Sequence, residues 1–184
     1  ILQGAWGNPG ILDEIRRIQD AVGAKVLLEF DDYLPNVPVR SMYRQSMPRD
    51  LIKMMRRAIE RVDWLVVSTP VLAQEYSAFH PEIRVAYNGL PKGIWGGLSS
   101  QRRTGKKLRL GWAGGSSHTG DLAIIRALVK DMEDEVDWVF MGMQPEDIRC
   151  EFHPGVEISK YPAALAALNL DLALVPLEMN QFNR

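Results

Sequence analysis

The stretch Leu108–Leu122, LRLGWAGGSSHTGDL, decides the fold. Leu108, Leu110 and Trp112 form a short apolar run that leads into Gly111, Gly114 and Gly115. Two hydroxyls, Ser116 and Ser117, then His118 and Thr119-Gly120-Asp121 follow. From Leu122 the pattern turns helical, with Leu122, Ile125, Leu128, Val129 and Met132 on one face. The order is strand, glycine-rich turn, helix start. Glycines allow positive φ and close approach of a ligand to the backbone. Free amides at a helix start, with the positive end of the helix dipole, favour an anion such as a phosphate. The turn therefore suits the diphosphate of a nucleotide, and the serine hydroxyls add donors. A tight turn that binds nothing fits the same residues. Asp121 already places a negative charge in the first helical turn.

Composition narrows the classes. The 184 residues are 46% hydrophobic and 24% charged, enough for one globular domain or two small ones. A net charge of −1 gives no bulk electrostatic case for nucleic acid. Cys150 is the only cysteine, which excludes an internal disulfide framework and fits a reducing compartment. His80, His118 and His153 are too scattered for a zinc site, so no metal is expected. No apolar run approaches the roughly 20 residues that span a bilayer. No secretion signal opens the chain, and a cytoplasmic location is expected. The first residue is Ile1, which suggests a fragment.

Outward from the central stretch, strands alternate with helices. Ile11, Ile15, Ile18 and Val22 recur at helical spacing, with Gly23 as the C-cap. Strands are expected at Lys25–Phe30, Asp63–Thr69 and Ile83–Tyr87. A helix opened by Ser46 and Pro48 buries Leu51, Met55, Ala58, Ile59 and Val62. Its other side carries Arg49, Lys53, Arg56, Arg57 and Arg61, a face that is either simply wet or meets an acidic acceptor or lipid headgroups. After the central stretch, strands are expected at Val136–Met141, Val156–Ile158 and Asp171–Leu177, with short helices at Pro145–Arg149 and Tyr161–Leu168. The alternation implies parallel sheets with helices on their faces. The expected division is 1–90, a glycine- and cation-rich linker at 91–107, and 108–184.

Asp31 and Asp32 end the first of these strands, but the spacing is not Asp-x-Asp, the pattern that holds a metal against a diphosphate in one class of sugar transferases. A solvated strand end whose acids cap the next loop is the favoured reading. In a sheet of order 3-2-1-4 the first and fourth strands are neighbours, and ligands bind beyond their carboxyl ends. Counting from Leu108, the turn 114–118 and the tail 178–184 should flank one crevice. Arg184 there is either a cation for a phosphate or a frayed chain end. Two further strands would complete such a domain. Either they lie in missing sequence, the favoured reading, or the molecule pairs with another copy.

Several segments together resemble the GT-B fold glycosyltransferases of the group 1 type, the nucleotide-sugar enzymes of bacterial surface-polysaccharide assembly. They are Phe30–Pro38, Val66–Pro70, Tyr87–Leu90, Gly111–Leu122 and Asp171–Leu177 with Phe182-Asn183-Arg184. The resemblance implies two Rossmann-like α/β units, each incomplete here, with an acceptor-side N-domain and a donor-binding C-domain. It implies metal-independent transfer of a sugar from a nucleotide-diphosphate sugar to a glycan or lipid-linked acceptor; the expected place is the cytoplasm, either free or at the inner face of the membrane. Gly114, Gly115, Ser116 and Ser117 would face the donor diphosphate, with Arg184 near it. No catalytic base is identified; the candidates are His118, Asp31 and Asp32. The family's later segment, with its lysine, ribose-holding glutamate and glycine turn, would lie beyond Arg184, which is compatible with a chain that is inactive alone. The alternative is a non-catalytic GT-B-like binding or assembly module. A dinucleotide oxidoreductase fits poorly, because Gly111-x-x-Gly114-Gly115 is not Gly-x-Gly-x-x-Gly and no acid ends the strand at Met141.

Overall fold

The computed structural model describes residues 1–3, 8–38, 44–45, 47–101, 107–180 and 182–183. Ser46, Arg102, Arg103, Lys106 and Arg184 lie outside them. The chain forms two α/β units, Ile1–Gly89 and Leu90–Arg184. Each holds a four-stranded, all-parallel sheet flanked by helices, so both are Rossmann-like.

The first unit runs β1 (Leu2–Gln3), α1 (Pro9–Val22), β2 (Leu27–Phe30), α2 (Leu51–Ile59), β3 (Trp64–Val67), α3 (Pro70–Tyr76) and β4 (Ile83–Val85). Its strands lie in the order β1-β2-β3-β4. Local chemistry sets the helix ends. Asn8 Oδ1 accepts from the Gly10 amide at 3.0 Å, and Gly23 closes α1 at φ 66°. Thr69 Oγ1 accepts from the Leu72 amide at 3.1 Å, with Pro70 opening α3. Parallel register aligns Leu28 with Leu65 and Phe30 with Val67, and all four are buried. Right-handed crossovers in this order put α1, α2 and α3 on one face. The opposite face, Leu27, Glu29, Trp64 and Val66, is only part-buried.

The second unit runs α4 (Lys92–Trp95), β5 (Arg109–Ala113), α5 (Thr119–Asp131), β6 (Asp137–Met141), β7 (Glu151–His153), α6 (Tyr161–Ala167) and β8 (Leu172–Ala173). The order β7-β6-β5-β8 is the expected 3-2-1-4. Alternation along β5 and β6 sends side chains to two cores. Leu110, Trp112, Trp138 and Phe140 pack with Leu122, Ile125 and Val129 of α5. Val139 and Met141 pack on the other face with Leu168 and with Tyr161, Ala164 and Leu165 of α6. Residues 90–101 fold with this unit. Trp95 meets Tyr161 edge-on at 6.4 Å, and the Ser100 hydroxyl donates to the Leu170 carbonyl at 3.0 Å.

Several local expectations are corrected. The third strand of the second unit is Glu151–His153, not Val156–Ile158. Met141 pairs with His153, and Gly142 then donates to the His153 carbonyl at 2.9 Å, so the ladder is already complete. Around Pro145–Arg149 there is a turn rather than a helix, with Asp147 at φ 58°. The last strand shrinks to Leu172–Ala173; Leu174 donates one more bond to the Gly111 carbonyl at 2.8 Å, and Pro176, which has no amide to donate, follows. On α1, Leu12 is buried, while Ile11, Ile18 and Val22 are exposed. On α5, Leu128 is exposed as well. Both helices reach their sheet with a narrower stripe than their apolar content suggests.

Candidate functional site

The second sheet reverses its winding at β5. From β5 the chain steps to β6 and β7 on one side, then returns through α6 to β8 on the other. α5 and α6 accordingly cover opposite faces. A reversal leaves the two flanking loops splayed, and ligands of open α/β sheets bind in that gap beyond the carboxyl ends of the strands. Here the loops are Gly114–His118 after β5 and the tail after β8.

The glycines of the turn have distinct duties. Gly111 is a packing glycine: a Cβ there would lie 2.4 Å from the Val139 carbonyl oxygen. A Cβ on Gly114 would strike the Trp112 ring at 2.5 Å, and the Gly114 amide donates to the Met141 carbonyl at 3.0 Å. That amide is therefore used by the protein. Gly142, at φ 88°, leaves room for the Gly114 carbonyl, which a Cβ would meet at 2.2 Å. Positive φ is thus needed at Gly142, and no positive φ occurs in the turn itself. Gly115 differs from all of these. It is extended, at φ −96° and ψ 178°, and a Cβ there would meet nothing within 4 Å.

Ser116–His118 form one turn of 3-10 helix that runs directly into α5. His118 donates its amide to the Gly115 carbonyl at 3.0 Å, and Thr119 Oγ1 donates to the Ser116 carbonyl at 2.9 Å. The amides of Gly115, Ser116 and Ser117 meet no acceptor among the described residues, and all three residues are exposed. The two serine hydroxyls likewise have no partner among them. Four orphan amides are normal at a helix start. Here three sit side by side at a winding reversal.

His118 is held from one side. Its Nδ1 lies 2.8 Å from Asp121 Oδ2, and its ring meets Trp112 edge-on at 6.5 Å. Asp121 is buried, at 7% exposure, and its other oxygen accepts from the Glu178 amide at 2.7 Å. One carboxylate thus ties the histidine of the turn to the tail. With Nδ1 facing Asp121, the half-exposed ring turns Nε2 outward, the arrangement that fixes a histidine tautomer. The tail is knotted on itself. Asn180 Oδ1 accepts from the Phe182 and Asn183 amides, and Asn183 Nδ2 donates to the Glu178 carbonyl at 2.8 Å. Turn and tail therefore meet, as the strand order requires. Arg184, expected beside them, lies outside the described residues.

Asp31 and Asp32 belong to the first unit, at the carboxyl end of β2, and both are exposed. Their backbone is what the fold holds. Ser68 Oγ donates to the Asp31 carbonyl at 3.3 Å, and Tyr76 Oη donates to the Asp32 carbonyl at 2.8 Å. Tyr76 Oη also accepts from the Leu34 amide at 3.1 Å. The Tyr76 ring is fully buried, stacked on Phe30 at 5.3 Å and met edge-on by Tyr33 and Phe79. Burial pushes its phenol well above the ordinary value. No cluster of three or more metal-ligating acids, histidines or cysteines occurs among the described residues.

The sequence reading missed one charged constellation. Arg109 is buried at 8% exposure, and its guanidinium grips Glu151 through both oxygens, at 2.7 and 2.6 Å. Its Nε donates to the Leu168 carbonyl at 2.7 Å, and His153 Nε2 lies 2.8 Å from Glu151 Oε1. The Arg109 bond, then His153, hold the Glu151 carboxyl down to about 2, against some desolvation. The signal was an arginine inside an apolar strand, which needs a partner if it is to be buried.

No protein-family description matches the sequence. No curated protein matches it either.

Proposed function

We propose that this chain is part of a glycosyltransferase that moves a sugar from a nucleotide-diphosphate sugar to a glycan or lipid-linked acceptor. The observation that carries this reading is the row of three amides, Gly115 to Ser117, that have no acceptor among the described residues, at the winding reversal beside the tail. The donor diphosphate would lie against these amides and the Ser116 and Ser117 hydroxyls. Developing charge on the leaving group would be met by fixed dipoles in place of a metal ion. Gly114 contributes the shape of the turn rather than a donor. His118 Nε2, oriented through Asp121, would face the phosphate or sugar oxygens. Asp31 and Asp32 remain candidates for acceptor chemistry only through their exposed carboxylates. A cytoplasmic setting fits the single free cysteine, and no helix among the described residues is long and apolar enough to cross a membrane.

A second reading is a non-catalytic GT-B-like module. It is favoured by the Asp121–His118 pair, which satisfies one histidine nitrogen structurally. Calorimetric titration with uridine, guanosine and adenosine diphosphates tests the shared premise. Saturable binding at micromolar to millimolar ligand is expected. No heat from any of them at millimolar concentration overturns the reading. Release of nucleoside diphosphate from a nucleotide sugar then separates enzyme from module.

A further inference from the structure

We propose that the outward face of α2 attaches the protein to an anionic lipid surface. This inference stands apart from the diphosphate reading of the turn in the second unit. The buried side of α2 is Leu51, Met55, Ala58 and Ile59. With about 3.6 residues per turn, the opposite side carries Lys53, Arg56 and Arg57, and Arg49 stands just ahead of the first turn. All four are exposed. Arg49, Lys53 and Arg57 follow at intervals of four, so they form one row of like charge. Like charges at that spacing repel and weaken a helix.

The fold does not offset this repulsion. Other exposed helical charges are paired three residues apart, Glu14 with Arg17 on α1 and Lys130 with Glu133 at the end of α5. Arg49, Lys53 and Arg57 meet no acid among the described residues, whereas Arg61, just past the helix, is bridged to Asp13 at 2.7 Å. The Arg56 guanidinium carbon lies 4.9 Å from the centre of the Phe79 ring, which holds the side chain but leaves its charge uncancelled. The acids of the segment, Asp50 and Glu60, stand at the two ends of α2. The partner this row selects is therefore anionic. Four cations on a helix about 14 Å long fall short of the roughly six to ten phosphate contacts of a DNA-binding surface. Headgroups of a membrane leaflet spread their charge over a plane and attract each nearby cation separately, so a short row suffices for reversible attachment.

Co-sedimentation of the whole chain with vesicles tests this, comparing phosphatidylcholine alone with an equal mixture of phosphatidylcholine and phosphatidylglycerol. Wild type should bind the mixed vesicles, leave the neutral ones, and come off as salt is raised. Removing two cations in Lys53→Gln/Arg57→Gln should weaken binding roughly 30-fold, whereas Lys53→Arg should bind like wild type. Circular dichroism and thermal melting check folding, and the double variant should melt at least as high as wild type because a like-charge pair is gone. No binding of wild type to the mixed vesicles, equal binding to both kinds, or a double variant within about threefold of wild type overturns the proposal. Retention on heparin that the double variant loses, without vesicle binding, assigns the row to a soluble polyanion and overturns it too.

Discussion

Gly115→Ala separates a binding glycine from a structural one. At φ −96° and ψ 178° the backbone is extended, and alanine adopts it without strain. The added methyl would meet nothing within 4 Å. Folding should therefore be unchanged or gain up to about 0.5–1 kcal/mol, since alanine has less freedom to lose than glycine. Binding is another matter. A phosphate oxygen accepting from the amides of 115 and 116 sits about 2.9 Å from each nitrogen, while a methyl carbon keeps it at about 3.5 Å or more. Loss of one charge-assisted hydrogen bond costs about 1.5–3 kcal/mol, or roughly 10- to 150-fold in affinity. The assay is calorimetric titration with a nucleoside diphosphate alongside urea denaturation of the same samples. A variant that binds within threefold of wild type would show that no ligand oxygen fills the space a methyl at 115 would take, and the close-approach role of Gly115 would be wrong. Gly142→Ala is the contrast. Its φ of 88° and the Gly114 carbonyl 2.2 Å from the new Cβ should cost about 2–4 kcal/mol of stability.

Three other outcomes follow from the geometry. Tyr76→Phe keeps the stacked ring but removes the acceptor of the Leu34 amide and a donor to the Asp32 carbonyl, at an expected cost of about 2 kcal/mol. Hydrogen exchange at β2 and β3 should speed up roughly 30-fold while β5 and β6 hold steady; a uniform change or none contradicts it. Glu151, held at about 2 against an ordinary 4.5, contributes stability that is full above pH 4.5 and is lost as pH falls toward 2. Because its side chain is 46% exposed, that contribution should be about 1–2 kcal/mol, and acid titration of Glu151→Gln should lose this slope. Asp121→Ala removes the acceptor for both His118 and the Glu178 amide, so exchange at residue 178 should rise at least tenfold; unchanged protection would mean the tail is held by other contacts.

The parallel sheets were legible because KVLLEF, DWLVVST and DWVFM are apolar on both faces and separated by helical repeats. Strand order in the second unit followed from winding rules once those strands were counted. Two-residue strands were not legible. β1 and β8 owe their existence to pairing with β2 and β5, not to any local pattern. Glu151–His153 was passed over because a charged triplet reads as loop, whereas its acid and histidine are bound up with a buried arginine. At the turn, the sequence pattern suggests one role for all the glycines. The structure distributes them between close packing at 111, 114 and 142 and open space at 115. Tyr76 carried no motif, since a hub of four rings from two distant stretches of the chain exists only after folding.

The fit between Gly120 and Glu178 has an evolutionary side. Positions almost sixty apart in the chain share one small volume, so a side chain gained at 120 is felt at 178. A lineage that gained a β-carbon at 120, which would stand 2.6 Å from Glu178 Oε2, would have to turn that side chain aside or shorten it. Aligned descendants should show those two columns changing in step, an imprint of tertiary contact that neither column would reveal by itself.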